Sequence, residues 1–141
     1  MPADSYDFLL VFSGQLDLQY NNLTGGLPAE LYDLVSLRDL SLQGNTKVQG
    51  QISPLIRNWS NLVRLNLGQT KLGDTLPSEF FWLRDLEDFV VPEAKFTGEM
   101  DPDQWLNFTK LVELDLAFNN FGGPIPNIFH RFAFLGTLPS F

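Results

Sequence analysis

Residues 16–28 of the chain read LDLQYNNLTGGLP, and residues 114–126 read LDLAFNNFGGPIP. Both stretches contain Leu-x-Leu-x-x-Asn followed at alternate positions by an apolar residue, a Gly and an apolar-Pro pair. When the same spacing of residues is followed through the chain between these stretches, repeats start at positions 16, 40, 65, 89 and 114, and a sixth at 138. The intervals are 24 or 25 residues, and this alignment is called the repeat frame here. The fixed interval predicts a repeat domain over 16–141, preceded by an atypical segment or cap over 1–15.

Seven positions in each repeat are predicted to point inward, and all 35 of them are apolar. In the second repeat they are Leu40, Leu42, Val48, Ile52, Ile56, Trp59 and Leu62, and the third and fourth positions of the other repeats include Leu23 and Ile125. The opening Leu-x-Leu is typical of a strand with both residues on one face, whereas the later Leu-x-x-Leu steps favour a 3₁₀ or irregular turn. One coil cannot bury its own leucines, so the pattern predicts stacked coils about 4.8 Å apart that form a parallel sheet.

The Asn that follows the strand has a different task from the leucines. The amides of Asn21, Asn45 and Asn119 can bond the backbone where the chain bends away from the sheet. Thr70 and Ala94 replace this Asn in the third and fourth repeats. We therefore expect the third and fourth coils to hold their bends less firmly.

The pattern resembles the plant-type leucine-rich repeat, whose signature adds a Gly and an Ile/Leu-Pro pair after the Asn turn. Residues 25–28 and 123–126 carry both marks, whereas Asp74 replaces the Gly, and Ser53 and Asp101 replace the Pro. The resemblance implies an α/β solenoid: a right-handed superhelix with a parallel β-sheet on its concave face and 3₁₀ or irregular turns on its convex face. The similar proteins are the ectodomains of receptor-like kinases and receptor-like proteins, and polygalacturonase inhibitors, whose paired-cysteine caps are missing here.

Charge and composition exclude several classes of protein. The net charge is −8, which disfavours a nucleic-acid surface by repulsion. There is no cysteine, and hence neither a disulfide nor a thiolate site. The apolar run 8–12 is far shorter than the ~20 residues of a membrane helix, and no basic residue precedes Arg38, so we predict neither a transmembrane segment nor a signal peptide in this chain.

The concave face of such a solenoid is where ligands usually bind. The predicted ligand-binding residues flank the inward leucines of the strands: Asp17, Tyr20, Asp39, Arg64, Asp88, Glu93, Glu113, Asp115 and Phe118. Most of them are carboxylates, so a basic peptide or protein is the complementary partner. The alternative is that these carboxylates serve only solubility, as on any acidic surface.

Three Asn-x-Ser/Thr sequences, at Asn22, Asn58 and Asn107, are candidate glycosylation sites that lie off the inward positions. The alternative is that they are turn and cap residues of the repeat. Together with the resemblance, they favour an extracellular or cell-surface location.

Few residues could support catalysis or bind a metal. The single His, His130, has no acidic residue within ten positions, and no Gly-x-Ser-x-Gly motif occurs. The acidic group Glu99, Asp101 and Asp103 lacks the twelve-residue pattern of a calcium loop, so a solvated loop is preferred. We therefore predict no enzyme activity, no metal and no cofactor.

The sequence thus predicts a non-enzymatic scaffold that recognises a protein or peptide, as a fragment of an extracellular or cell-surface receptor-like protein. One alternative is a structural subunit of a multi-protein complex, with neighbouring subunits or adjoining domains over the uncapped ends at Leu16, Leu18 and Leu138. A further alternative, from the resemblance, is an inhibitor of a cell-wall-degrading enzyme.

Overall fold

The computed structural model describes residues 14–127, which contain ten strands in two parallel sheets. The first sheet contains, in order, β1 (Gln15–Asp17), β3 (Asp39–Ser41), β5 (Arg64–Asn66), β7 (Asp88–Val90) and β9 (Glu113–Asp115). The second contains β2 (Thr24–Gly25), β4 (Lys47–Gln51), β6 (Lys71–Thr75), β8 (Lys95–Glu99) and β10 (Asn120–Gly122). Each coil contributes one strand to each sheet.

The first sheet places the inward residues of successive repeats side by side. Leu16 pairs with Leu40, and Leu40 pairs with Leu65. Phe89 continues the row between Leu65 and Leu114. The chain therefore returns to the same sheet once per repeat, which confirms the predicted parallel solenoid.

The second sheet was not predicted from the sequence. In β4, the burial pattern along the strand shows one buried residue, Val48, and the other four are exposed. Gly50 and Gly98 lie inside β4 and β8 with φ of 104° and 99°, a backbone conformation that favours glycine. Strands with one inward residue and an internal glycine lack the alternation by which a strand is recognised.

A short helix closes each of the first four coils. Three are 3₁₀ helices, over Ala29–Asp33, Pro54–Asn58 and Ser78–Trp82, as predicted for the convex side. The fourth is an α-helix, α1 (Pro102–Trp105), in which the N–H of Trp105 donates to the carbonyl of Asp101 at 3.2 Å. The fourth repeat has one inserted residue before Trp105. An i→i+4 bond spans one residue more than a 3₁₀ bond, so the α-helix accommodates this residue.

The inward residues form one continuous core. All seven inward positions are buried in the second and fourth coils; in the fourth they are Phe89, Val91, Phe96, Met100, Trp105, Phe108 and Leu111. The prediction was wrong for Leu23, which is 38% exposed, and for Ile125, which is 61% exposed. They lie in the first and last described coils, where a described coil packs on one side only. The inward predictions at 129, 132 and 135 lie outside the described residues.

Two further aromatic residues are buried although the repeat pattern does not mark them. Tyr32 is stacked on Trp59 with ring centroids 4.7 Å apart, and its hydroxyl accepts the backbone N–H of Ser53 at 3.1 Å. Burial raises the pKa of Tyr32 above its ordinary value. Phe81 packs edge-on against Trp105 at 5.6 Å. Both residues come directly after an inward position of the repeat. The repeat pattern predicts an outward side chain there.

Asn45 joins the bend of the first coil to that of the second. Its Nδ2 donates to the carbonyls of Leu18 at 2.9 Å and Leu42 at 2.8 Å, and its Oδ1 accepts the N–H of Leu23 at 3.2 Å. Asn45 is fully buried, so these bonds satisfy backbone groups that have little access to water. Asn45 therefore serves the preceding coil as well as its own.

The expectation of a loose fourth bend was wrong, because Asn119 of the fifth coil holds it. Asn119 donates to the carbonyl of Val91 at 2.6 Å and accepts the N–H of Phe96 at 3.0 Å. In the third coil, Thr70 bonds only its own coil, donating to Leu67 at 2.8 Å and accepting from Leu72 at 3.3 Å. Within residues 14–127, the weak points of this ladder are therefore the two steps on either side of the third coil.

Candidate functional site

The outward side of the first sheet, called the concave face here, carries most of the predicted binding residues. The middle residue of each three-residue strand points into the core, so the residues on either side of it point outward. The strand register aligns the first outward position of all five strands in one row: Gln15, Asp39, Arg64, Asp88 and Glu113. Neighbours in this row are about 4.8 Å apart, within reach of one another's side chains.

Arg64 lies between two of the predicted carboxylates and binds both. Its Nη1 is 3.1 Å from Asp39 Oδ1, and its Nε is 3.1 Å from Asp88 Oδ2. Gln15 extends the row by donating to Asp39 Oδ2 at 2.9 Å. The structure thus brings Asp39, Arg64 and Asp88 together across three strands, and the single positive charge of Arg64 offsets one of the two negative charges.

The environment of this row affects the ionisation of its members. The pKa of Asp88 is raised above its usual value, mainly because burial disfavours its charged form, although the guanidinium of Arg64 acts in the opposite direction. The pKa of Arg64 is also raised, first by its hydrogen bond to Asp39 and then by the charge of that carboxylate. The side chain of Arg64 is 55% exposed, so solvent screening weakens both ion pairs.

The second outward row consists of the last residues of the five strands: Asp17, Ser41, Asn66, Val90 and Asp115. Its acidic and amide side chains hold the end of the strand. Asp17 Oδ1 accepts the N–H of Gln19 at 3.1 Å, and Asp115 Oδ1 accepts the N–H of Ala117 at 3.0 Å. Each bond joins a side chain to the backbone two residues later, which is the Asx-turn arrangement. The sequence analysis missed this structural role, although the polar residue before the bend was a usable sign of it. Asp17 and Asp115 therefore serve the fold whether or not they bind a ligand.

The residues that follow the strands by three positions share an unusual backbone conformation. Tyr20, Gln69, Glu93 and Phe118 have φ between 52° and 57°. Tyr20 is 66% exposed and Phe118 is 79% exposed, so two aromatic side chains stand at opposite ends of the concave face. Glu93 accepts a hydrogen bond from Gln69 at 3.4 Å. Exposed aromatic side chains of this kind are frequent anchors in binding interfaces.

An open groove of about 420 Å³ runs across the concave face. Five of the nine predicted residues line this groove: Asp17, Asp39, Arg64, Asp88 and Glu113. The other four, Tyr20, Glu93, Asp115 and Phe118, lie outside its lining.

Negative charge is least compensated at the β9 end of the groove. Glu113 is exposed, and within residues 14–127 it makes no side-chain hydrogen bond or ion pair. It pairs in register with Asp88, and Asp115 follows it by two residues. Arg64 approaches Asp88 from the opposite side. A cationic group entering from the β9 side would therefore meet carboxylates that Arg64 does not neutralise.

The three candidate glycosylation sites differ in accessibility. Asn22 and Asn107 are exposed, whereas Asn58 is partly buried at the end of a 3₁₀ helix. None of the three is in the buried core, so a glycan would not displace core side chains. Their use stays a prediction.

The described residues add little in favour of catalysis or metal binding. Within residues 14–127 no group of three or more His, Asp or Glu side chains could hold a metal ion. Asp101 caps α1 by accepting the N–H of Asp103 at 2.9 Å. His130 lies outside the described residues. No helix in the described part of the chain has the length and apolar character to cross a bilayer.

The comparisons with known proteins agree with this geometry. The Leucine Rich Repeat family model matches residues 15–34 and 110–132. Receptor-like protein 34 of Arabidopsis thaliana is 34% identical over 127 residues, which are 87% of this chain and 13% of that protein. The chain thus spans about an eighth of the length of this relative.

Solved ectodomains of plant receptor kinases have the same fold. The Arabidopsis GASSHO1/SCHENGEN3 ectodomain, in complex with CASPARIAN STRIP INTEGRITY FACTOR 2, is 30% identical with a TM-score of 0.78, over 91% of this chain and 16% of that one. The Arabidopsis receptor kinase HAESA, in complex with the peptide hormone IDA and the co-receptor SERK1, is 28% identical with a TM-score of 0.76, over 90% of this chain and 22% of that one. The repeat matches, these similarities and the stacked coils show that the chain belongs to the leucine-rich repeat family.

Proposed function

We propose that the chain is a recognition segment of an extracellular or cell-surface receptor-like protein, and that it binds a protein or peptide on its concave face without catalysing a reaction. The observation that carries the proposal is the open groove of about 420 Å³, whose polar side chains project from a parallel sheet. The similarity to receptor-like protein 34 and to HAESA in complex with a peptide hormone supports the same function.

The preferred ligand carries a positive charge where it meets the β9 end of the groove. Glu113 and the second oxygen of Asp115 are available there, whereas Asp39 and Asp88 are paired with Arg64. An acidic ligand would have to compete with those carboxylates for Arg64 and would be repelled by Glu113. The exposed rings of Tyr20 and Phe118 supply apolar contacts at the two ends of the face.

A peptide selection tests this proposal with defined probes. Random peptides displayed on phage are selected on the wild-type chain, and the enriched peptides are synthesised. We expect enrichment of Lys and Arg, and a loss of binding of about tenfold or more when Glu93 and Glu113 are both replaced by Lys. Neither replacement removes an ion pair within the described residues, so the fold should be kept.

A matched variant controls for net charge. Glu30→Lys with Asp33→Lys makes the same charge change at exposed residues of the first 3₁₀ helix, away from the concave face. The enriched peptides should bind this control as they bind the wild type. Equal losses in both variants, or no loss in the concave-face variant, would contradict the proposal.

A second candidate function, as a structural subunit, is favoured by the apolar surface of the first coil. Leu16, Leu18, Leu27 and Leu31 line a cavity of about 570 Å³ there, and Leu23 is 38% exposed. We propose that a neighbouring subunit covers this end in such an assembly. Light scattering at micromolar concentration tests the idea with the chain itself as the probe: stable oligomers would support it, and a monomer would count against it.

A further inference from the structure

Three lysines occupy one position of the repeat on the outer side of the second sheet. Lys47, Lys71 and Lys95 are the first residues of β4, β6 and β8. All three are exposed, and none forms an ion pair within residues 14–127. A row of like charges on neighbouring strands is mildly unfavourable for the fold, so packing gives no reason for it.

The strand register sets the spacing of this row. Lys71 pairs with Gln49, and Lys95 pairs with Gly73, so each lysine is displaced by two residues along the strand from the one before it. With strands about 4.8 Å apart and a rise of about 3.3 Å per residue, successive Cα atoms are roughly 8 Å apart. The row therefore presents ammonium groups at regular intervals along an oblique line.

Within residues 14–127, no carboxylate forms an ion pair with Lys47, Lys71 or Lys95. Asp74 accepts hydrogen bonds from Gln51 Nε2 at 2.6 Å and from the N–H of Thr75 at 2.8 Å. The only other carboxylate in β4, β6 and β8 is Glu99, at the far end of β8 from Lys95. The protein as a whole has a net charge of −8, so a row of three unpaired lysines departs from its general character.

The surroundings of the row are hydrophilic. No large apolar residue of β4, β6 or β8 is among the exposed hydrophobic side chains of the described region. The outward neighbours are amides and hydroxyls, such as Gln49, Gln51 and Thr75. Protein interfaces are enriched in aromatic side chains at their centres, whereas amides and hydroxyls suit a polyhydroxylated chain.

We propose that Lys47, Lys71 and Lys95 form a binding site for an acidic polysaccharide, a linear polymer with carboxylates on successive sugars. Each lysine would contact one carboxylate as a compact cation with three donors, and the neighbouring side chains would bond sugar hydroxyls. This site lies on the second sheet and is independent of the groove on the first sheet.

Affinity electrophoresis of the complete chain in gels that contain polygalacturonate tests the site. Replacing all three lysines by Gln should weaken retardation by at least about tenfold, since the attraction of each lysine to the anionic polymer would be lost. Added salt should reduce wild-type retardation. The matched control replaces Arg38, Arg57 and Arg84 by Gln, which removes the same charge at exposed positions outside the row, and should retain wild-type binding.

Several results would overturn the site. They are equal losses in the lysine and arginine variants, undiminished binding to fully methyl-esterified polymer, and equal or tighter binding to polyglutamate, which would indicate an acidic protein instead. Far-ultraviolet circular dichroism confirms that both variants are folded. The Glu93→Lys, Glu113→Lys variant should bind the polymer at least as tightly as wild type, so failure of the concave-face function and failure of this site are distinguishable.

Discussion

Val90 lies two residues before Pro92, which has no backbone N–H. Val90 is also the one residue in the second outward row of the concave face whose side chain has no hydrogen-bond acceptor. In the adjacent coil, Asn66 Oδ1 accepts the N–H of Gly68 at 3.1 Å. In three coils, Asp17, Asn66 and Asp115 of this row accept the backbone N–H two residues later. A loss of ligand binding on substitution of such a residue has to be separated from a loss of stability.

Ser41 occupies the same row, but its Oγ is buried and has no hydrogen-bond partner among the described residues. Replacing Ser41 by Asn should provide the acceptor that Asn66 provides in the next coil. We expect the free energy of unfolding to rise by about 0.5–1 kcal/mol, measured by urea denaturation.

Val90→Asn is the control for this substitution, because Pro92 has no N–H to donate. We expect no gain in stability from Val90→Asn. An equal gain at both positions would mean that the effect comes from polarity rather than from the bond to the bend.

The repeat frame could be predicted from the sequence because burial of the inward positions requires apolar side chains at fixed intervals. Leu40, Leu65 and Phe89 pair side by side as the frame requires. The second sheet could not be predicted in this way, because β4 buries only Val48. Tyr32 was missed for a related reason: its burial depends on stacking against Trp59 of the next coil, which no local pattern records.

The candidate site was predicted less completely than the fold. The row positions of Asp39, Arg64 and Asp88 follow from the frame, but their pairing depends on side-chain reach between strands. A count of carboxylates therefore overstated the negative charge available to a ligand. The frame alone could not separate Glu113, which makes no such pair in the described region, from Asp39, which does.

Gly73 is required by the close approach of two coils rather than by its own conformation. A Cβ atom at this position would overlap the backbone carbonyl of Lys95 in the neighbouring strand. We expect Gly73→Ala to destabilise the chain by about 1–3 kcal/mol, because the backbone of β8 would have to move. Gly122→Ala is the control, since a Cβ there meets no atom within 4 Å. Thermal unfolding of both variants measures the two losses of stability. Equal losses would contradict this explanation.

Asn45 should be the most costly residue of the Asn ladder to remove. Asn45→Ala would leave the carbonyl of Leu42 and the N–H of Leu23 without their side-chain partner in a buried bend. We expect a loss of about 2–3 kcal/mol in urea denaturation. Asn21→Ala is the control, since Asn21 is exposed and its amide bonds only carbonyls of its own coil. A loss at Asn21 as large as that at Asn45 would show that the bond between coils is unimportant.

Removal of Arg64 should change the ionisation of Asp88 in a defined direction. Burial already raises the pKa of Asp88 above 3.8, and Arg64 opposes that rise, so Arg64→Gln should raise this pKa further. A folded state that binds a proton more tightly than the unfolded state gains stability as the pH falls through the folded pKa. The stability lost in Arg64→Gln near neutral pH, about 1 kcal/mol or less per ion pair, should therefore shrink as the pH approaches about 4.

Carboxyl ¹³C chemical shifts followed through an acid titration measure the pKa of Asp88 directly, and urea denaturation at each pH measures the stability. Lys110→Gln is the matched control, because Lys110 binds Asp85 at 2.6 Å and does not contact Asp88. It removes one exposed cation and should leave the Asp88 titration close to that of the wild type. An Asp88 pKa that falls in Arg64→Gln, or that rises equally in the Lys110 variant, would mean that the ion pair with Arg64 does not govern this carboxyl.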